Sequence, residues 1–263
     1  MSLTLGGGPL ASDAPTTVNY TIDSPSRALY MHQFPRRVRA EVGGLTVLDS
    51  DRGVLLHESG LLPAFYVPME DIGQRYLVPS DRTTHCPFKG DASYWDLVVG
   101  DWTAHNAVWA YPAPTPEATW LHGLASMYWN AAEGWFDEEE QVYGHLRDPF
   151  HRVDARRSSM LVRISFGAQV IALTGAAMVL SETGLPNRYY VPFNDVHRDL
   201  LVPSRTRTYC PYKGRAAYWN LRIGDTEIAD VGWSLPEPLK DGRDVRDHIC
   251  FRHDELTMTL EKD

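Results

Sequence analysis

The stretch Thr84-His-Cys-Pro-Phe-Lys-Gly-Asp-Ala-Ser-Tyr-Trp95 decides the architecture, because it occurs twice. Its second copy, Thr208-Tyr-Cys-Pro-Tyr-Lys-Gly-Arg-Ala-Ala-Tyr-Trp219, lies 124 positions further along the chain. More than two in five positions of residues 58–114 are identical in the copy, without a gap. A repeat of this kind indicates an internal duplication. The same offset relates Tyr66-Val-Pro-x-x-Asp71 to Tyr190-Val-Pro-x-x-Asp195 and Leu77-Val-Pro-Ser80 to Leu201-Val-Pro-Ser204.

The duplication predicts two domains of similar size. We expect a flexible leader over residues 1–23, because this stretch is rich in Gly, Ser, Thr and Pro. A first β domain is predicted over 24–137, and a second over 155–263. Residues 138–154 are expected to form a polar surface connector between them.

Apolar residues within each copy alternate with polar residues, which is the period of a β-strand. Val38, Ala40 and Val42 alternate up to Gly43-Gly44, and a Gly-Gly pair between two such runs is typical of a hairpin. The 18 prolines leave no amphipathic pattern long enough for a major helix. The sequence therefore predicts an all-β protein of two pseudo-symmetric domains with short helical turns.

The composition limits the possible functions. Hydrophobic residues make up 43% of the 263 residues, and the net charge of −9 argues against non-specific binding to nucleic acid or to an anionic membrane. Three cysteines without a CxxC pair predict neither a disulfide framework nor a metal site. No apolar run approaches the roughly 18 residues of a membrane span. These features predict a location in the reducing cytoplasm.

The repeated Thr-x-Cys-Pro-x-Lys-Gly segment supplies the first candidate site. Cys86 and Cys210 are candidate catalytic nucleophiles, because a lysine three residues further on can favour the thiolate and hold an anion. The structural alternative is a small buried cysteine, a proline turn and an exposed Lys-Gly corner. A Cys-His pair identical in both copies is excluded, because His85 is replaced by tyrosine.

Polar and aromatic residues kept in both copies supply the second candidate site, a pocket for a small polar or aromatic ligand. The structural alternative is that the aromatic residues form an ordinary core and that Asp71 and Asp195 cap turns. Tyr111 joins the set in the first copy only, because Leu235 replaces it, so the two pockets are not expected to be equivalent. The paired candidates are Tyr66, Asp71, Thr84, Lys89 and Trp109, with their copies Tyr190, Asp195, Thr208, Lys213 and Trp233.

Ionisable residues crowd the connector, where they can bind a metal ion or phosphate, form ion pairs, or simply be solvated. Arg152 is the candidate ligand contact, because a planar guanidinium pairs well with a carboxylate or phosphate. The cluster consists of His145, Arg147, Asp148, His151, Arg152 and Asp154.

These motifs resemble the DUF427 family of mostly bacterial domains of unknown function, and the resemblance covers the chain twice from about residue 36. It implies tandem domains similar to the β-tent or Mss4-like folds, in which two sheets lean together over a pocket. It implies no characterised activity or cofactor. The chain lacks the CxxC pairs of zinc-bearing β-tents, and no Gly-rich phosphate loop or paired-Asp metal motif recurs to support nucleotidyl transfer.

Three functional hypotheses stay open. The first is a small-molecule-binding protein with a pocket in one or both copies. The second is an enzyme, a transferase or hydrolase, that uses Cys86 or Cys210 as its nucleophile. The third is a non-catalytic structural or interaction module. The expected partner is a small molecule and not nucleic acid or a membrane, and the chain is expected to act as a monomer or a homodimer.

Overall fold

The structure, a computed structural model, describes residues 3–5, 7–12, 19 and 27–262. The chain divides into two compact units, Met1–Asp148 and Pro149–Asp263. Most of the predicted flexible leader lies outside the described residues. Within it, Thr4 is buried, and its carbonyl oxygen accepts a hydrogen bond of 2.9 Å from the backbone N–H of Gly60.

Two antiparallel sheets build the first unit. Its strands are β1 Leu29–Gln33, β2 Val38–Val42, β3 Leu45–Ser50, β4 Val54–Glu58, β5 Leu61–Pro68, β6 Leu77–Cys86, β7 Gly90–Val99, β8 Trp102–Pro114, β9 Leu124–Met127, β10 Gly134–Asp137 and β11 Glu140–Val142. The large sheet has the order β1-β4-β5-β9-β8-β7-β6, and the small sheet has the order β11-β10-β2-β3. Val42 pairs with Leu45 across the predicted Gly-Gly hairpin.

The second unit repeats this arrangement. Its strands are β12 Val153–Arg157, β13 Leu161–Phe166, β14 Gln169–Thr174, β15 Met178–Glu182, β16 Leu185–Pro192, β17 Leu201–Cys210, β18 Gly214–Ile223, β19 Thr226–Pro238, β20 His248–Phe251 and β21 Thr257–Glu261. The large sheet has the order β12-β15-β16-β20-β19-β18-β17, and the small sheet has the order β14-β13-β21.

Alternation along the strands gives each large sheet two different faces. On β5, Phe65 and Val67 join the main core, to which the small sheet also contributes, whereas Tyr66 joins a second cluster. On β16, Val191 and Tyr190 divide in the same way. We call the face that carries Tyr66 or Tyr190 the outer face of the large sheet.

The prediction of an all-β protein with short helical turns is confirmed. The part of the chain that the structure describes contains no α-helix, and no helix there is long and apolar enough to cross a membrane. Prolines begin or precede several of the turns, which suits their fixed φ. The turns are the 3-10 helices Met69–Asp71, Gln74–Tyr76, Pro116–Leu121, Trp129–Ala131, Phe193–Asp195, Arg198–Leu200 and Lys240–Val245.

Gly90, which follows the repeated lysine, occupies a conformation and a space that only glycine fits. Its φ is +101°, and a Cβ atom there would lie 3.0 Å from the carbonyl oxygen of Ala113. We expect Gly90→Ala to lower the free energy of unfolding by about 2 kcal/mol, measured by urea denaturation. Gly100→Ala is the matched control, because Gly100 has a φ of +59° and open space around it. Equal losses in the two variants would contradict the role of the Ala113 contact.

Candidate functional site

Four residues of the first unit lie side by side across the outer face. Tyr66 on β5 pairs with Ser126 on β9, which also pairs with Trp109 on β8. Trp109 in turn pairs with Tyr94 on β7. Directly paired residues of antiparallel strands project from the same face, so the topology brings these side chains together. We call the set the aromatic row. The row of the second unit comprises Tyr190, Cys250, Trp233 and Tyr218.

A hydrogen bond joins the buried tyrosine and the half-buried tryptophan of each aromatic row. Trp109 Nε1 donates to Tyr66 Oη at 3.0 Å, and Trp233 Nε1 donates to Tyr190 Oη at 3.0 Å. The rings stand edge to face, at 81° in the first unit and 86° in the second. Burial raises the pKa of both tyrosines, so each phenol keeps its proton at neutral pH. These contacts fix the plane of each indole ring.

A buried ion pair accompanies each aromatic row. Lys89 Nζ lies 3.0 Å from Glu58 Oε1, and the two side chains are only 11% and 7% exposed. Lys213 forms the corresponding pair with Glu182. The repeat itself holds the signal for this carboxylate, since Glu58-Ser-Gly60 recurs as Glu182-Thr-Gly184. The sequence pattern does not assign it to the site, because the carboxylate lies 31 residues before the lysine, at the end of a different strand, whereas the lysine lies in a turn.

A second basic residue approaches each buried carboxylate, and it differs between the units. Arg27 Nη1 lies 3.8 Å from Glu58 Oε2, whereas His151, at the equivalent position, donates from Nε2 to Glu182 Oε1 at 3.1 Å. Burial raises the pKa of Glu182, but the hydrogen bonds and charges of His151 and Lys213 outweigh this effect and lower the pKa to about 2. Glu182 is therefore ionised at neutral pH, and His151 belongs to this site.

The last tyrosine of each aromatic row, the buried Tyr94 or the half-buried Tyr218, lies against an exposed threonine, and we call this the exposed end of the row. Thr84 Oγ1 lies 3.0 Å from Tyr94 Oη, and Thr208 Oγ1 lies 3.3 Å from Tyr218 Oη. Both threonines are exposed. A hydroxyl pair at the surface can exchange its mutual hydrogen bond for bonds to a ligand, so these threonines are the accessible polar members of the site.

The surroundings of this exposed end differ between the units. In the first unit, Tyr128 packs on Trp109 with ring centroids 4.4 Å apart, and the Arg82 guanidinium lies 5.0 Å from the centre of the Tyr94 ring. The equivalent positions of the second unit hold Arg252 and Thr206. The two units therefore share the aromatic row but not the side chains that border it.

Tyr111 and Cys86 complete the surroundings in the first unit. Both belong to the apolar cluster of the outer face, and Lys89 Nζ lies 5.4 Å from the centre of the Tyr111 ring. Because Lys89 is paired with Glu58, its charge is already compensated, which weakens the case for Cys86 as an activated nucleophile. Leu235 replaces Tyr111 in the second unit, where Cys210 is likewise half-buried.

Three predicted site residues make their polar contacts elsewhere. Asp71 accepts a hydrogen bond from Ser50 Oγ at 2.7 Å and ties the turn after β5 to the small sheet. Asp195 accepts the corresponding bond from Thr174 Oγ1 at 2.6 Å. Arg152 is exposed and pairs with Asp154 at 2.6 Å. The structure groups the tyrosine, threonine, lysine and tryptophan candidates, but these three side chains serve turns and the surface.

Cys250 occupies the place of Ser126 and differs from the other two cysteines in burial. Burial raises its pKa to about 12, so the thiol stays protonated. We expect iodoacetamide to leave Cys250 unmodified in the folded protein at neutral pH while it alkylates the half-buried Cys86 and Cys210, as read by peptide mass spectrometry. The urea-unfolded chain, in which all three thiols should react, is the control. Rapid alkylation of Cys250 in the folded protein would contradict its burial.

The chemistry of the site is hydrogen bonding and stacking. Each unit offers an indole ring and phenols in its aromatic row, with an exposed threonine hydroxyl and a closed ion pair beside them. Among the residues that the structure describes, no group of three or more His, Cys, Asp or Glu side chains is arranged to hold a metal ion. Fold and site together define a duplicated all-β protein in which both copies keep one polar and aromatic network.

Comparison with known proteins agrees with this class. A family model described as a domain of unknown function, DUF427, matches residues 30–138 and again residues 154–262. The chain therefore belongs to the DUF427 family and carries two tandem copies of its domain. No curated protein matches the chain. The function of this family is unknown.

Proposed function

We propose that the protein binds a small polar or aromatic molecule at the exposed end of one or both aromatic rows. The observation that carries the proposal is the retention of a polar network in both units. The tryptophan-to-tyrosine hydrogen bond measures 3.0 Å in each, although the neighbouring positions have diverged. Packing alone needs neither this bond nor an exposed threonine beside it.

The geometry favours a planar ligand. Trp109 is half-buried with its ring held by Tyr66. The exposed Thr84 lies two strands away on β6, where it contacts the Tyr94 hydroxyl. A flat ring can stack on the exposed Tyr128 ring, which itself packs on the Trp109 indole. The threonine hydroxyl and the Arg82 guanidinium can hydrogen-bond to its polar substituents. In the second unit the bordering arginine is Arg252, so the two units are expected to prefer different substituents. The three free cysteines suit the reducing cytoplasm, where we place the protein.

The experiment is a thermal-shift screen with nucleosides, aromatic amino acids and aromatic carboxylates, followed by titration of any hit through intrinsic tryptophan fluorescence. We expect Thr84→Val or Thr208→Val to weaken binding about five- to tenfold in the unit that binds, since each removes one hydrogen bond to the ligand. Thr103→Val is the matched control, because Thr103 is also an exposed threonine on a strand of the large sheet.

Two results would overturn the proposal. One is a screen in which none of the three classes of compound shifts the unfolding temperature, which would favour a structural or interaction module. The other is a hit whose affinity Thr84→Val and Thr208→Val change no more than Thr103→Val does. If compounds that alkylate Cys86 or Cys210 are turned over and released, the enzyme hypothesis gains over simple binding.

A further inference from the structure

A groove of about 970 Å³ opens in the second unit at the edge of the large sheet. Its lining includes Arg156, Arg157, Ser158, Ser159, Asp244 and His248. The two arginines end edge strand β12, and the two serines follow it. Asp244 belongs to the 3-10 helix Lys240–Val245, and His248 begins strand β20. The groove is separate from the exposed end of the aromatic row, since none of its lining residues belongs to the row.

The duplication provides an internal comparison for this groove. The first unit has a groove of about 430 Å³ at the equivalent place, lined by Met31, Gln33, Val54 and Trp120 among others. Arg157 stands where the first unit has Gln33, and Asp244 stands where it has Trp120. The same part of the fold is therefore mainly apolar in one unit and charged in the other.

The hydrogen-bonding groups of the charged groove are available to a ligand. Arg157 is exposed and has no ion pair or hydrogen bond to its guanidinium within the described residues, whereas Arg156 pairs with Asp154. His248 Nδ1 lies 2.6 Å from the carbonyl oxygen of Arg246 and must donate to it, which leaves Nε2 as the acceptor nitrogen of the neutral ring. Arg, Ser and His are the side chains that commonly hold a tetrahedral oxyanion.

The net charge of the second unit is also more positive than that of the first, in agreement with the charged groove. The second unit, Pro149–Asp263, contains 16 basic and 15 acidic residues, a net charge of +1. The first unit contains 9 basic and 19 acidic residues, a net charge of −10. An anionic ligand therefore meets far less repulsion at the second unit, and Arg157 adds a local attraction.

We infer that this groove of the second unit binds a phosphate-bearing small molecule. Arg157 and the hydroxyls of Ser158 and Ser159 hold the phosphate, and His248 Nε2 accepts a hydrogen bond from a hydroxyl or amino group of the ligand. Asp244 accepts hydrogen bonds from hydroxyl or amino groups on the rest of the ligand. The volume exceeds what a phosphate needs, so the ligand carries an organic group beyond it. The inference does not depend on the proposed function, because the residues differ.

The test is a calorimetric titration of the full chain with phenyl phosphate and with inorganic phosphate, at matched ionic strength in sodium chloride. We expect phenyl phosphate to bind, and Arg157→Gln to weaken it at least about tenfold. Arg205→Gln should change the affinity less than twofold. This control removes the same charge from an exposed arginine on β17, the opposite edge strand of the same sheet.

Hydrogen exchange locates the site. Phenyl phosphate should slow exchange in peptides covering 155–159 and 175–178 and leave those covering 29–34 unchanged. The inference is overturned if neither phosphate binds, if Arg157→Gln and Arg205→Gln weaken binding equally, or if protection appears in the first unit. The inference is supported if phenyl phosphate slows hydrogen exchange over 155–159 and 175–178 but not over 29–34, and if Arg157→Gln lowers the affinity for phenyl phosphate about tenfold.

Discussion

Replacing Lys89 by methionine is expected to lower the free energy of unfolding of the first unit by about 3–5 kcal/mol. The substitution leaves the Glu58 carboxylate buried without its main cation. Lys89 is the closer cation, at 3.0 Å from the carboxylate, whereas Arg27 lies 3.8 Å away. The measurement is urea denaturation combined with hydrogen exchange in peptides from β4 and β7. Hydrogen exchange is needed because two units in one chain need not unfold in a single step.

Two further variants make this prediction specific to the ion pair. Lys240→Met removes an exposed lysine and should change the stability by less than about 0.5 kcal/mol. The double variant Lys89→Met/Glu58→Gln removes both charges and should recover a substantial part of the loss. If the double variant is as unstable as the sum of the single variants, the pair is not coupled, and the burial of its charges does not govern the stability of the unit.

Acidification is expected to destabilise the second unit through Glu182. The pKa of this carboxylate is about 2 in the folded protein and about 4.5 in the unfolded chain. Its stabilising effect is therefore fully present above pH 4.5 and is lost as the pH falls towards 2. After a discount for solvent screening, the loss is about 2–3 kcal/mol.

The control for this pH dependence is Glu182→Gln, which cannot titrate at this position. We expect this variant to be less stable than the wild type at pH 7 and to lose about 2–3 kcal/mol less between pH 5 and 2. The exposed Glu237→Gln should follow the wild-type curve. A wild-type second unit whose stability is flat over this range, by hydrogen exchange in β15 and β18, would show that His151 and Lys213 do not hold the carboxylate as described.

Local sequence patterns predict the fold well, because a strand pattern repeated at one fixed offset leaves few architectures open. The alternation around Val38 to Val42 and the Gly-Gly pair specify a hairpin without knowledge of the rest of the chain. The exact domain boundaries at 137 and 154 stay predictions.

The site is less predictable, since its contacts span long distances in sequence. Trp109 and Tyr66 are 43 residues apart, and only the order of the strands makes them neighbours. The repeat marks both residues but says nothing of which partner each finds. For Asp71 the repeat suggests a ligand contact, but the side chain accepts a hydrogen bond from Ser50 and holds a turn. A polar residue kept in both copies can therefore have a purely structural role. Placing His151 beside Glu182 also required the structure, since the connector pattern groups it with its sequence neighbours.

The pairing of β21 with β13 means that the small sheet of the second unit is completed late in synthesis. In each unit the small sheet is closed by a strand that comes late in the unit, β10 in the first and β21 in the second. The first unit can complete its sheets while the second is still being made. The second unit, by contrast, must wait until residue 261 has left the ribosome, because β13 has no second neighbour before then. During that interval one edge of β13 is unpaired, and an unpaired strand edge is a place where aggregation can begin.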